Sequence, residues 1–67
     1  MNINIRKSIM SNFKDTNKND IFESIENAIN DQEEVTLPGL GVFFELLWLN
    51  SSKKKKEEII DIISSSL

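Results

Sequence analysis

Apolar residues recur along this chain in helical steps, broken by short polar stretches into four segments. Ile5, Ile9 and Phe13 repeat every four residues with Ile3 and Met10 beside them, which predicts a first helix of about three turns. Lys14–Asp15–Thr16–Asn17–Lys18–Asn19 is wholly polar and reads as a breaker. In the second segment Ile21, Phe22, Ile25, Ala28 and Ile29 lie at i, i+1, i+4, i+7 and i+8, one apolar face of a helix. Asp20 followed by Glu23 predicts its start as an Asp form of the capping box, and Asn30–Asp31–Gln32 its end. The fourth segment, residues 52–66, carries Ile59, Ile60, Ile62 and Ile63, with Leu67 beyond, on one side of another helix. Ser51 or Ser52 is its expected cap, and Lys53–Glu57 and Lys54–Glu58 are i,i+4 pairs that add a few tenths of a kcal/mol each. Its lysines oppose the helix dipole, so this helix depends on tertiary packing.

The third segment has two readings. As a helix, it has Pro38 in the first turn after Thr36 or Leu37, then Leu40, Phe43, Phe44 and Leu47 at i, i+3, i+4 and i+7. As a hairpin, Val35–Leu37 and Val42–Trp48 are the arms and Pro38–Gly39–Leu40–Gly41 the turn. Val, Phe and Trp favour strands, and each glycine costs a helix about 1 kcal/mol. Leu46, Leu47, Trp48 and Leu49 are consecutive, however, and nothing past Gly41 alternates. The expectation is a helix from about residue 40 with the glycines in its first turn. The fold class is therefore mainly α: a small single-domain bundle of three to four short helices over residues 1–67. The alternative is an α+β chain with a short hairpin around residues 35–48.

Sixty-seven residues allow one domain at most, burying only about 60% of the unfolded surface. Such a core supplies no more than about 3–5 kcal/mol. Cysteine is absent, so no disulfide or thiolate metal site can staple it, and a reducing intracellular compartment is the natural expectation. Self-association is the remaining support, which makes a homo-oligomer the expected partner state. Eleven acidic and eight basic residues leave a net charge of −3. That favours solubility and argues against nucleic acid or anionic membrane as partners. No run reaches the roughly 18–20 apolar residues of a membrane span, and MNINIRKSIMSNF lacks a secretory apolar core.

The candidate chemistry is sparse. Without His, Cys or Tyr the commonest bases and nucleophiles are missing, so no catalytic residue is assigned and a non-enzymatic role is expected. Asp31, Glu33 and Glu34 lack the spacing and glycine of a calcium loop, and no metal site is assigned. Gly39–Leu40–Gly41 lacks the further residues of a phosphate loop, so no cofactor is expected; the glycines suit a turn or close approach instead. Lys53, Lys54, Lys55 and Lys56 are a candidate weak phosphate contact, although Glu57 and Glu58 follow at once and no aromatic interrupts the run. Glu45 suits a single exposed stripe; a buried Glu45 needs Arg6, Lys7 or Lys14 as partner. Leu37, Pro38, Gly39, Leu40, Gly41, Phe43, Phe44 and Trp48 are candidate core or self-association residues, because their apolar density exceeds what one small monomer covers.

The run TLPGLGVFFELLW, residues 36–48, resembles the signature of the small acid-soluble spore protein I family of spore-forming Firmicutes. The resemblance extends to MNINIRKSI, to the Ile/Ala helix ending in Asp31–Gln32–Glu33–Glu34, and to the charged-then-apolar final helix; the Ser64–Ser66 tail departs most. It implies a minor protein of the forespore cytoplasm, kept in the dormant spore core, with no catalytic residues and no assigned chemistry. The chain shows none of the long motif of the α/β-type spore proteins that coat DNA. A second resemblance, through Val35, Leu37, Gly39, Gly41 and Phe43, is to the first half of HU-type DNA-architectural proteins around their hairpin. Those proteins continue into basic arms. Here Glu45–Leu46–Leu47–Trp48–Leu49 follows, with no Lys or Arg before Lys53.

Overall fold

The structure, a computed structural model, describes residues 4–67. Four α-helices and one 3-10 turn follow each other: α1 Ile5–Phe13, α2 Lys18–Asp31, the 3-10 turn Glu34–Thr36, α3 Leu37–Leu49 and α4 Lys53–Ser66. The mainly helical class expected from the periodicity is what the chain adopts. The predicted place of Ile3 beside the first apolar stripe lies outside the described residues.

α1, α2 and α4 each begin where a short polar side chain satisfies an otherwise unpaired backbone N–H. Asn4 accepts from the Lys7 amide at 2.9 Å and opens α1. α2 starts earlier than Asp20 predicts. Asn17 is the cap, its Oδ1 accepting from the Asp20 amide at 2.8 Å, while Asn17 Nδ2 donates back to Asp20 Oδ2 at 3.2 Å. Asp20 is thus the third residue of the box rather than its cap, and the polar breaker shortens accordingly. Two overlapping box-like spacings exist, Asn17/Asp20 and Asp20/Glu23; the earlier one adds a turn of hydrogen bonds to the helix. Gln32, in the left-handed region at φ 53°, ends α2. Ser52, one of the two serines expected to cap α4, accepts from the Lys55 amide at 3.1 Å.

Residues 35–48 form no hairpin: they complete the 3-10 turn and run into α3, beginning at Leu37 rather than near residue 40. Pro38 sits in the first turn, where its missing N–H costs nothing. The Thr36 hydroxyl donates to Glu33 O at 2.8 Å and Ala28 O at 3.3 Å, tying the turn to α2 just before α3 starts. Both glycines are therefore helical. Neither has a positive φ, and a Cβ built on either meets no atom within 4 Å. The turn or close approach expected of them does not occur among the described residues, although an interior helical glycine costs about 1 kcal/mol relative to alanine.

α3 is the central element, with α1, α2 and the 3-10 turn against it. Val42 is the one buried residue among those described, 6% exposed. Around it Ile9, Phe13, Ile21, Ile25, Phe43 and Leu46 are half-buried. The rings of Phe13 and Phe43 meet edge to face, centroids 5.0 Å apart at 75°, and dock α1 onto α3. The three helices do not close over this centre. They leave an open cleft of ≈ 1050 Å³ with Lys7 and Lys14 among its lining.

Candidate interaction surface

The 36–48 signature divides by helical face. At 3.6 residues per turn, Gly39, Val42, Phe43 and Leu46 fall on the side turned to α1 and α2. Leu37, Gly41, Phe44 and Trp48 share the opposite side, with Leu40 and Leu47 flanking. On that side Leu37 is 60% and Phe44 42% exposed, Gly41 is exposed, and Leu40 and Trp48 are half-buried. Pro38 is exposed at the start of the helix. The candidate residues thus do not act as one group: Phe43 belongs to the centre, and Leu37, Gly41 and Phe44 to the surface.

Phe44 and Trp48, one turn apart, lie with ring centroids 5.8 Å apart at 32°. Together with Leu49 and with Ile60 of α4 they line an open groove of ≈ 580 Å³, with Glu45 at its edge. The corner between α3 and α4 is held by side chains on the last carbonyls of α3. Asn50 Nδ2 donates to Leu46 O at 2.8 Å, and the Ser51 hydroxyl donates to Leu47 O. Beyond it, α4 leaves Ile60, Ile62 and Ile63 exposed.

The lysine run does not present four equivalent charges. Lys55 Nζ pairs with Glu58 at 3.1 Å, an i,i+3 contact in place of the i,i+4 pairs expected. Lys56, half-buried, places its Nζ 5.3 Å from the Trp48 ring centre in a cation–π contact. Lys53 and Lys54 remain at the exposed start of α4. The cation–π contact was not legible from spacing, because it joins two helices whose angle the corner residues set.

Glu45 finds Arg6, one of the three partners the sequence offered. Arg6 Nε donates to Glu45 Oε2 at 2.7 Å and Nη2 to Oε1 at 2.8 Å, a two-point contact linking α1 to α3. Both side chains stay largely exposed, so Glu45 is not the buried carboxylate that would demand a partner. The Arg6 hydrogen bond holds the Glu45 carboxyl below the usual carboxylate range, and desolvation opposes that shift. Glu45 in turn raises Arg6, by hydrogen bond and charge. A depressed carboxylate stabilises the fold above its unfolded pKa, about 4.3 for Glu, and that contribution is lost as pH falls through the lower folded value. We therefore expect α1 amides to lose hydrogen-exchange protection on acidification below the usual carboxylate range. Glu45→Gln should show weaker protection at neutral pH and no titration from this site. An unchanged acid response in Glu45→Gln would remove this contact as its source.

The family described as small, acid-soluble spore protein I matches residues 3–67. The chain belongs to that family. A small, acid-soluble spore protein I of Halalkalibacterium halodurans is 40% identical over 67 residues, covering 100% of this chain and 98% of the relative. Those of Bacillus cereus strain G9842 and Bacillus anthracis strain A0248 are each 34% identical over 67 residues, covering 100% of this chain and 97% of theirs. The resemblance read from TLPGLGVFFELLW is therefore real, and the protein is a spore protein that belongs to sporulation. No solved structure matches the chain. No helix among the described residues is long and apolar enough to cross a membrane.

Proposed function

We propose that this member of the small, acid-soluble spore protein I family is a non-enzymatic protein of the forespore and dormant spore core that acts by associating with itself rather than by chemistry. The observation that carries this reading is the single buried residue, Val42, among those described, set against exposed Leu37, Phe44, Leu47 and Leu49 on one helix. A small domain without disulfides normally draws further support from a metal or from oligomerisation. An apolar surface of this kind marks a contact site. The missing His, Cys and Tyr support a role without catalysis.

Sedimentation equilibrium over a wide concentration range tests the reading. The mean mass should rise with concentration, and Trp48→Ala or Phe44→Ala should dissociate or unfold the protein. A monomer at every concentration that tolerates both changes would overturn it. The compartment is tested by immunoblot of vegetative cells, sporulating cells and purified spores, where equal signal in vegetative cells would contradict a forespore protein.

A further inference from the structure

We infer that two copies of the chain pair through α3, antiparallel about a two-fold axis, with Phe44 of each copy seated over Gly41 of the other. This rests on the self-association reading and names its surface. Leu37, Gly41, Phe44 and Trp48 follow at steps of four, three and four, the spacing of a seam along one helical face. The order of sizes along that seam is self-complementary. An antiparallel pair whose axis falls midway between positions 42 and 43 sets Leu37 against the second copy's Trp48 and Gly41 against its Phe44. Each Phe44 ring then meets the one seam position without a side chain, and the same contact is made twice, as a two-fold interface requires.

No contact among the described residues explains Gly41. Its φ is not positive, and the space where a Cβ would stand is open. Alanine would favour the isolated helix, so the glycine makes sense if a second chain's Phe44 occupies that space. The groove of ≈ 580 Å³ bounded by Phe44, Trp48, Leu49 and Ile60 lies at the far end of the seam, where the second copy's exposed Leu37 arrives.

Charge is compatible with a second copy as the occupant, and area limits how tightly it binds. Two chains of net charge −3 repel one another at long range. The seam residues and flanking Leu40 and Leu47 are uncharged, and neighbouring Glu45 already faces Arg6. Lys56, over Trp48, sits at the end of the seam and so away from its counterpart in an antiparallel pair. Identical copies can therefore meet on this face without like charges opposed. α3, about 20 Å long and about 10 Å across, offers about 200 Å² per copy. A stable interface needs about 800 Å² per partner. α3 alone thus makes a weak contact, and exposed Ile60 in α4 extends it beyond Trp48. The pairing is a reversible one, read as mass that depends on concentration.

Sedimentation of the full chain tests the inference, with circular dichroism confirming helicity. Gly41→Leu should raise the dimer Kd by about tenfold or more, the scale of an overpacked contact. Adding Phe44→Ala to Gly41→Leu should restore most of the affinity, because the leucine then fills the space the ring has left. Gly39→Ala, on the other face, should leave Kd unchanged. Should Gly41→Leu lose helicity, Gly41→Ala keeps the test open: it should raise the thermal midpoint of the dilute monomer while weakening the dimer. A wild type that associates with a Kd indifferent to position 41 would overturn this interface and leave self-association standing. A wild type that is monomeric throughout would overturn both.

Discussion

Val42→Asp should abolish cooperative unfolding. Val42 is the one buried residue among those described, enclosed where α1 and α2 meet α3. A carboxylate placed there stands among apolar neighbours; Arg6 is already committed to Glu45, and Lys7 and Lys14 line the same cleft only from exposed positions. An unpaired buried charge costs several kcal/mol even when the group takes up a proton instead. A core of this size supplies only about 3–5 kcal/mol in total, so one substitution removes most of the stability. Urea unfolding followed by circular dichroism should show a broad, non-cooperative loss of helix. Val42→Ala, which removes only about two methyl-sized groups at about 0.8 kcal/mol each, should keep a transition at lower urea. If Val42→Asp instead unfolds at the wild-type midpoint, the inner face of α3 is not the centre of the fold.

Phe43→Ala should be the next most damaging change. Its ring meets Phe13 edge to face and is the aromatic link between α1 and α3. Fully buried Phe→Ala changes cost about 3–5 kcal/mol. Both rings here are half-buried, which places the expected cost at about 2 kcal/mol, below that range after scaling by burial. The specific ring contact should appear as a coupling of about 0.5–1.5 kcal/mol in a Phe13→Ala/Phe43→Ala double-mutant cycle. Strict additivity of the two single changes would mean that the rings contribute only area. α1 should lose exchange protection before α2 does, since the Phe13–Phe43 contact joins α1, not α2, to α3.

α1, α2 and α4 are plain in the sequence and α3 is not, for one physical reason. α1, α2 and α4 announce themselves because their apolar residues and polar caps lie within three or four positions of the groups they serve. Even the start of α2 is a local choice between Asn17 and Asp20, both good acceptors at the right spacing. In α3 the local signals conflict. Two glycines and the β-prone Val42, Phe43 and Phe44 argue against a helix, while Pro38 argues for its first turn. The conflict is resolved from outside the segment. Thr36 anchors the chain to Ala28 of α2, and the inward positions Val42, Phe43 and Leu46 meet α1 and α2 only if they share one helical face.

By itself, then, the sequence determined the helical class, the approximate extent of α1, α2 and α4, the lack of an ordinary catalytic set, and membership in the small, acid-soluble spore protein I family. All of these depend on residue identity and on spacing within a few positions or along one continuous run. The tertiary structure alone decided which half of the signature faces inward, that Gly39 and Gly41 are helical with open space beside them, that Arg6 rather than Lys7 or Lys14 meets Glu45, and that Lys56 lies over Trp48. Arg6 and Glu45 are 39 positions apart. Contacts at that distance are set by the angles at which short helices leave their corners, and no periodicity within a single helix encodes those angles.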